Sequence, residues 1–215
     1  GYIGAVIDNV FYHLAGKDRF YNQKNLVPGS FSNSEFIRAL EIVQHTSRNY
    51  FQPGALGMSH TESQLEFFLG HTAMVFCGSW LKSEMMGKIP DGFRLGAFNL
   101  PSVGNAIDEK GEAIFTSSGY FFVMKNSPNP QVGVDFLRFM TSREMAGNFA
   151  EMRDVLVAVK GAMKGRLSSD LSDLVSLAQR ATTTYGTAPG EGYPEMEQFL
   201  SDVRFNIVND QQTPE

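Results

Sequence analysis

Glu66-Phe-Phe-Leu-Gly-His-Thr-Ala-Met-Val-Phe-Cys-Gly-Ser-Trp80 changes its period in the middle. Up to Leu69 the apolar residues Leu65, Phe68 and Leu69 recur at helical spacing, giving a helix over about 62–69 that stops at Gly70. Beyond it, Thr72 to Cys77 is a compact apolar run that predicts a buried strand. Gly78-Ser79-Trp80 then turns the chain into a short helix ending near Gly87. Strands separated by helices define an α/β protein, so this segment sets the expected fold class.

Working outward, Ile3, Val6, Ile7, Val10 and Leu14 share one helical face, closed by Gly16, and a helix over 34–48 turns Phe36, Ile37, Leu40 and Val43 inward. Three capping boxes announce helices: Ser32-x-x-Glu35, Thr61-x-x-Gln64 and Thr141-x-x-Glu144. Phe93 to Leu100 reads as a second strand, residues 102–113 as a polar loop, and Gly119 to Met124 as a third strand. Asn129-Pro130 opens a helix with Val132, Phe136, Leu137 and Met140 inward; a helix over 142–151 and the turn Met152-Arg153-Asp154 lead into Val155 to Val159. Helices over 170–181 and 194–208 complete the chain. Its first helix has neither an initiator Met nor a cap ahead of it, and Thr213-Pro214-Glu215 reads as the start of another, so a fragment lacking sequence on both sides is expected.

Composition narrows the function. The 215 residues carry 18 Lys+Arg against 23 Asp+Glu, a net charge of −5, which argues against nucleic acid or an anionic bilayer as the partner. No apolar run approaches the roughly 20 residues that span a membrane, so any anchor or export signal lies outside the chain. One cysteine, Cys77, makes no intramolecular disulfide and leaves the compartment open. His13, His45, His60 and His71 lack metal-ligand spacing, Met85-Met86 has no soft-ligand neighbours, and Gly190-Glu-Gly192 lacks the context of a phosphate loop; no metal and no cofactor is expected. Glu35, Glu41, Glu62 and Glu66 have capping or surface explanations, and no nucleophile motif is present, so no catalytic residue is assigned and an enzyme is not expected. Residues 161–215 hold an excess of acidic groups, read as a solvated helical surface.

The segment Glu66 to Trp80 resembles the F-x-x-G-x-x-A-M-x-x-x-G-x-W pattern of bacterial extracellular solute-binding proteins of the sugar-binding, maltodextrin-binding-protein-like type, the receptors of ABC importers. Gly92 to Pro101 is similar to the family's strand and Leu-Pro hinge element. Ser118 to Met140 is similar to its strand, turn and amphipathic helix, and Thr141-Ser-Arg-Glu-Met145 to the next helix start. The resemblance covers the family's second half only. It implies a periplasmic-binding-protein-like (type II) α/β fold, with one lobe and part of the other. Residues 1–104 and 160–215 would form the second lobe, and 115–158 the hinge-crossing segment that completes the first.

It also implies a site. Trp80, just past the Gly-Ser turn at Ser79, sits where a buried strand of an α/β sheet emerges, and an indole there suits the C–H face of a sugar; the alternative is a core tryptophan. Tyr2 and Tyr193 match stretches that carry ligand-facing aromatics in such receptors, or else they pack at the surface. Gly119 and Tyr120 start a hinge-crossing strand, and Arg153 with Asp154 forms a turn that faces the cleft in this family, or a plain surface turn. The resemblance thus implies an extracytoplasmic receptor, periplasmic or a cell-surface lipoprotein held to the membrane only by an N-terminal anchor. It would capture a carbohydrate between lobes and deliver it to ABC permease subunits. The alternatives are a related module of a chemoreceptor or regulator, and a glycoside-acting enzyme. Association through 115–158 is expected where the usual lobe does not cover it.

Overall fold

The computed structural model describes residues 2–104, 106–108, 110–116, 121–186 and 193–214, without the side chains of 194 and 195. The chain divides into two compact units: Gly1–Phe76 with Asn99–Thr116 and Arg180–Glu215, and Cys77–Phe98 with Ser117–Gln179.

The first unit is organised around α1 (Ile3–Lys24), in which every residue from Ile7 to Ala15 is buried. The helical face read from the sequence is there, but Asp8, Asn9 and His13 are enclosed as well. Against α1 pack α2 (Ser34–Tyr50), through Phe36, Ala39, Leu40 and Val43, and α8 (Pro194–Val208), through Ile207 and Val208. Gln44 and Ser47 of α2 donate to the carbonyls of Ile207 and Val208 at 2.7 and 3.2 Å, satisfying acceptors at the end of α8. α3 (His60–Phe68) buries Gln64 and Phe68.

Gly16 interrupts α1 with φ 75° and ψ −178°, so the stop read there is real, but the chain resumes helix up to Lys24. Phe20 of this continuation is fully buried against Phe11 and Tyr12. Such a left-handed φ suits glycine, and a side chain at this position would also stand 3.3 Å from Ile107 Cδ1.

Two parallel strands, β1 (Ala113–Phe115) and β2 (Thr183–Tyr185), pair in the register Ala113 with Thr183 to Phe115 with Tyr185. Asp108 prepares β1, accepting from the amides of Glu112 and Ala113 at 3.1 and 2.8 Å. Tyr185 carries β2 into the core: its ring stacks on Tyr12 at 3.7 Å and 6°, and its hydroxyl donates to Asn9 Oδ1 at 2.5 Å. Burial pushes its phenol far above the usual tyrosine value, so it stays a donor.

The α/β class holds, with different strands from those expected. Thr72 to Cys77 is irregular and Met74 is 65% exposed; Phe93 to Leu100 is irregular too, as are the described residues 121–124 of the third expected strand. An apolar run becomes a strand only beside a neighbour that takes its backbone hydrogen bonds, and β1 and β2 are the strands that meet that condition among the described residues.

The second unit holds α4 (Leu81–Glu84), α5 (Pro130–Met140), α6 (Arg143–Arg153), a 3-10 turn at Ser169–Leu171 and α7 (Ser172–Arg180), whose last residue falls in the first unit. Its interior is small: Leu81, Met85, Ala146, Ala150, Ala162 and Leu171. α5 opens at Pro130 as read, yet it buries no residue; Val132 and Phe136, expected inward, are exposed with Phe139. The amphipathic pattern is present and partly covered: Leu137 and Met140 are half-buried and Val123 lies against Gly133, while Val132 and Phe136 stay exposed.

Gly16→Ala is expected to lower unfolding free energy by about 1–2 kcal/mol, the cost of a side chain in left-handed backbone, measured by urea denaturation. His13 gives a second expectation. Burial holds its imidazole below the usual histidine pKa, against the opposing pull of Asp108, whose Oδ2 lies 3.7 Å from Nδ1. The unfolded chain then binds the proton better than the folded one. Stability is therefore full above the unfolded value of about 6.5 and falls as pH drops through the lower folded one. Urea midpoints measured from neutral to mildly acid pH should show this loss, and His13→Gln should flatten it.

Candidate ligand-binding site

Trp80 is half-buried and forms the N-cap of α4, at φ −83° and ψ −9°. The six-membered ring of its indole fills the space where a side chain at Gly78 would stand, so a methyl group there would land inside the ring. Gly78 thus serves close approach, and the Gly-Ser turn that the sequence marked seats the indole on the backbone. Ser79 lies between them, half-buried.

The same unit brings Arg153 and Asp154 to α4. α6 is started by Ser142, whose hydroxyl accepts from the amide of Met145, and ended by Asp154 in the left-handed region at φ 48°. At that turn Arg153 Nη2 donates to the carbonyl of Ser83 at 3.4 Å, and Lys82 Nζ lies 2.7 Å from Asp154 Oδ2. Lys82 also reaches Asp170 Oδ2 at 2.7 Å and Ser168 Oγ at 3.0 Å, and Asp154 accepts from Ser168 N and Oγ at 3.0 and 2.5 Å. Burial alone would lower the ammonium pKa and raise that of Asp154; the hydrogen bonds between the two, with Asp170 and Ser168, outweigh it and hold both in their charged forms. A glycosidase acid needs a carboxyl held protonated, and Asp154 is shifted the opposite way.

The two tyrosines belong to the first unit. Tyr2 caps α1; its hydroxyl lies 2.6 Å from His60 Nε2 and its ring meets Phe76 edge-on at 6.1 Å. Tyr193 caps α8 with its ring 60% exposed, at a recess lined by Gln23, Phe31 and Arg204 among others. That recess holds a cavity of about 10 Å³, space for a single water and not for a sugar ring. Gly119 and Tyr120 lie outside the described residues. Among the described residues no group of three or more His, Cys, Asp or Glu side chains is placed to hold a metal ion, and no helix is long and apolar enough to cross a membrane.

Lys82, Ser168 and Asp170 carry no signal in the sequence, and Gly78 and His60 read there only as a turn residue and a histidine without metal-ligand spacing. Gly78 stood in plain view beside Trp80, whereas Lys82 meets partners more than seventy positions away, which spacing does not reveal.

The fold matches that of a solved chitin oligosaccharide binding protein with a TM-score of 0.85 over 99% of this chain, at 19% sequence identity. Residues 8–147 match the family model for bacterial extracellular solute-binding protein, and the chain belongs to that family. It is 24% identical over 143 residues to the diacetylchitobiose binding protein NgcE of Streptomyces coelicolor, a stretch covering 65% of this chain. The chain spans 53% of the solved structure's length, and the match covers 30% of the Streptomyces protein.

If Gly78 seats the indole, Gly78→Ala should push the ring outward. The expected result is a red shift of tryptophan emission, at a stability cost of about 1–3 kcal/mol for the overpacked contact.

Proposed function

We propose that the protein is the extracytoplasmic receptor of an ABC importer, periplasmic or a surface lipoprotein, that captures a carbohydrate and passes it to a permease. Membership of the extracellular solute-binding family supports the receptor role. The observation that carries the sugar is Trp80: a half-buried indole seated on Gly78, with the guanidinium of Arg153 tied to the same short helix. An aromatic plane takes the apolar face of a pyranose, and a guanidinium fork supplies donors to its hydroxyls. Ser79, beside Trp80, belongs to this reading as a further contact; Tyr2, Gly119, Tyr120 and Tyr193 enter it on the sequence resemblance alone. The names of the two relatives direct the choice of sugar to N-acetylglucosamine oligosaccharides. The role is binding without catalysis: ligand shifts the population toward a closed state that a permease can distinguish.

Calorimetric titration with diacetylchitobiose, maltose and glucose tests the proposal, with diacetylchitobiose expected to bind best. Trp80→Ala should weaken that binding about ten- to a hundredfold, the loss of roughly 1–3 kcal/mol of aromatic contact. Truncating a packed core tryptophan would instead remove roughly 3–5 kcal/mol of stability. A several-kcal/mol shift in urea unfolding with unchanged affinity per folded molecule would make Trp80 a core residue and overturn the site.

A further inference from the structure

Lys82 occupies the first turn of α4, two residues beyond Trp80. Its ammonium has three donors and three acceptors: Asp154 and Asp170 at 2.7 Å each and Ser168 at 3.0 Å. The acceptors are themselves placed, since Asp154 ends α6 and holds Ser168 N and Oγ, and Asp170 lies in the 3-10 turn. An exposed ion pair of two flexible side chains contributes little, but Lys82 is 26% exposed and Asp154 15%, and the bonds fix the ammonium from three directions.

α4 has four residues, too few to be stable as an isolated helix, so its orientation depends on what holds it. Leu81 and Met85 hold it from the apolar side. On the polar side its ties include Lys82 and the longer bond from Arg153 to the Ser83 carbonyl. Whatever fixes α4 fixes its N-cap residue, which is Trp80.

We propose that Lys82 is the positioning residue of the Trp80 platform: pinned by Asp154, Asp170 and Ser168, it sets the direction in which the indole meets the sugar. This deepens the proposed function and rests on its assignment of Trp80 to the ligand. The latch restricts the indole before ligand arrives, so less orientational freedom is lost on binding.

Lys82→Met, Lys82→Arg and Asp170→Asn test it, by Trp80 emission and anisotropy in the ligand-free protein and by titration with diacetylchitobiose. Lys82→Met should lower the anisotropy, move the emission and weaken binding about tenfold. Lys82→Arg, which keeps the cation, should recover most of both, and Asp170→Asn should change both in the same direction by less. A folded Lys82→Met protein with wild-type emission, anisotropy and affinity overturns the latch. Should that variant fail to fold, wild-type signals and affinity in Asp170→Asn overturn it instead. The two readings separate cleanly: if Trp80→Ala leaves affinity unchanged while Lys82→Met still alters the anisotropy, the latch holds the indole and the ligand assignment is what fails.

Discussion

A carboxylate enclosed to 6% exposure must be neutralised where it stands, and the first unit is arranged around that requirement at Asp8. Lys24 and Arg204 meet its two oxygens at 2.6 and 2.9 Å. Asp8 and Lys24 are sixteen positions apart in one helical span, which in a straight helix separates them by about 24 Å. Their contact therefore requires the chain to turn back at Gly16, whose left-handed φ permits it. Arg204 ties α8 to the same point, and removing either cation would leave an incompletely paired buried charge, a loss of about 3–5 kcal/mol in comparable pairs. The all-round burial of Ile7–Ala15 follows, because once Asp8 is paired and Asn9 receives the Tyr185 hydroxyl, the polar side of this stretch can be covered as well as the apolar one.

This explains what was legible in the sequence. The apolar face of α1 and the stop at Gly16 are local signals and appear where read. That Asp8 and Asn9 would be interior is a property of Lys24, Tyr185 and Arg204, which no local pattern connects to them. The helix starts show the same limit on a smaller scale. Each capping box in the sequence lies close to a true start, but the caps that form are Asn33 on the amide of Phe36, Ser59 on that of Glu62 and Ser142 on that of Met145. Each stretch offers more than one small polar residue, and the cap is whichever has extended backbone at the entry to the helix, as these three do.

Strands were the least legible part. Thr72 to Cys77 has a strand's composition but pairs with no strand among the described residues, whereas Ala113, at the end of the expected polar loop, opens a strand that pairs with residues seventy positions away. What selects β1 and β2 is Asp108 holding the amides before one and Tyr185 anchoring the other in an aromatic cluster with Tyr12, Phe20 and Phe115. A short strand is held by its ends and by one large side chain more than by its own propensity.

The candidate site divides along the same line. Trp80, Ser79 and Arg153 carry chemistry visible as residue types, and within the second unit the structure draws the Arg153 turn to the helix that Trp80 caps. In the proposed latch the groups that hold the indole include a glycine, read from the sequence only as part of a turn, and a lysine whose partners lie far along the chain. A flat side chain on a free tether would lose its freedom each time a ligand bound, and that loss would offset the stacking it offers. In the proposed latch, seating the ring on Gly78 and pinning the next turn through Lys82 would place that loss in folding, where buried Leu81 and Met85 also hold the same helix. Recognition of an aromatic platform from sequence therefore needs the residues beside it as much as the aromatic itself, since they determine whether the plane is in place before any ligand meets it.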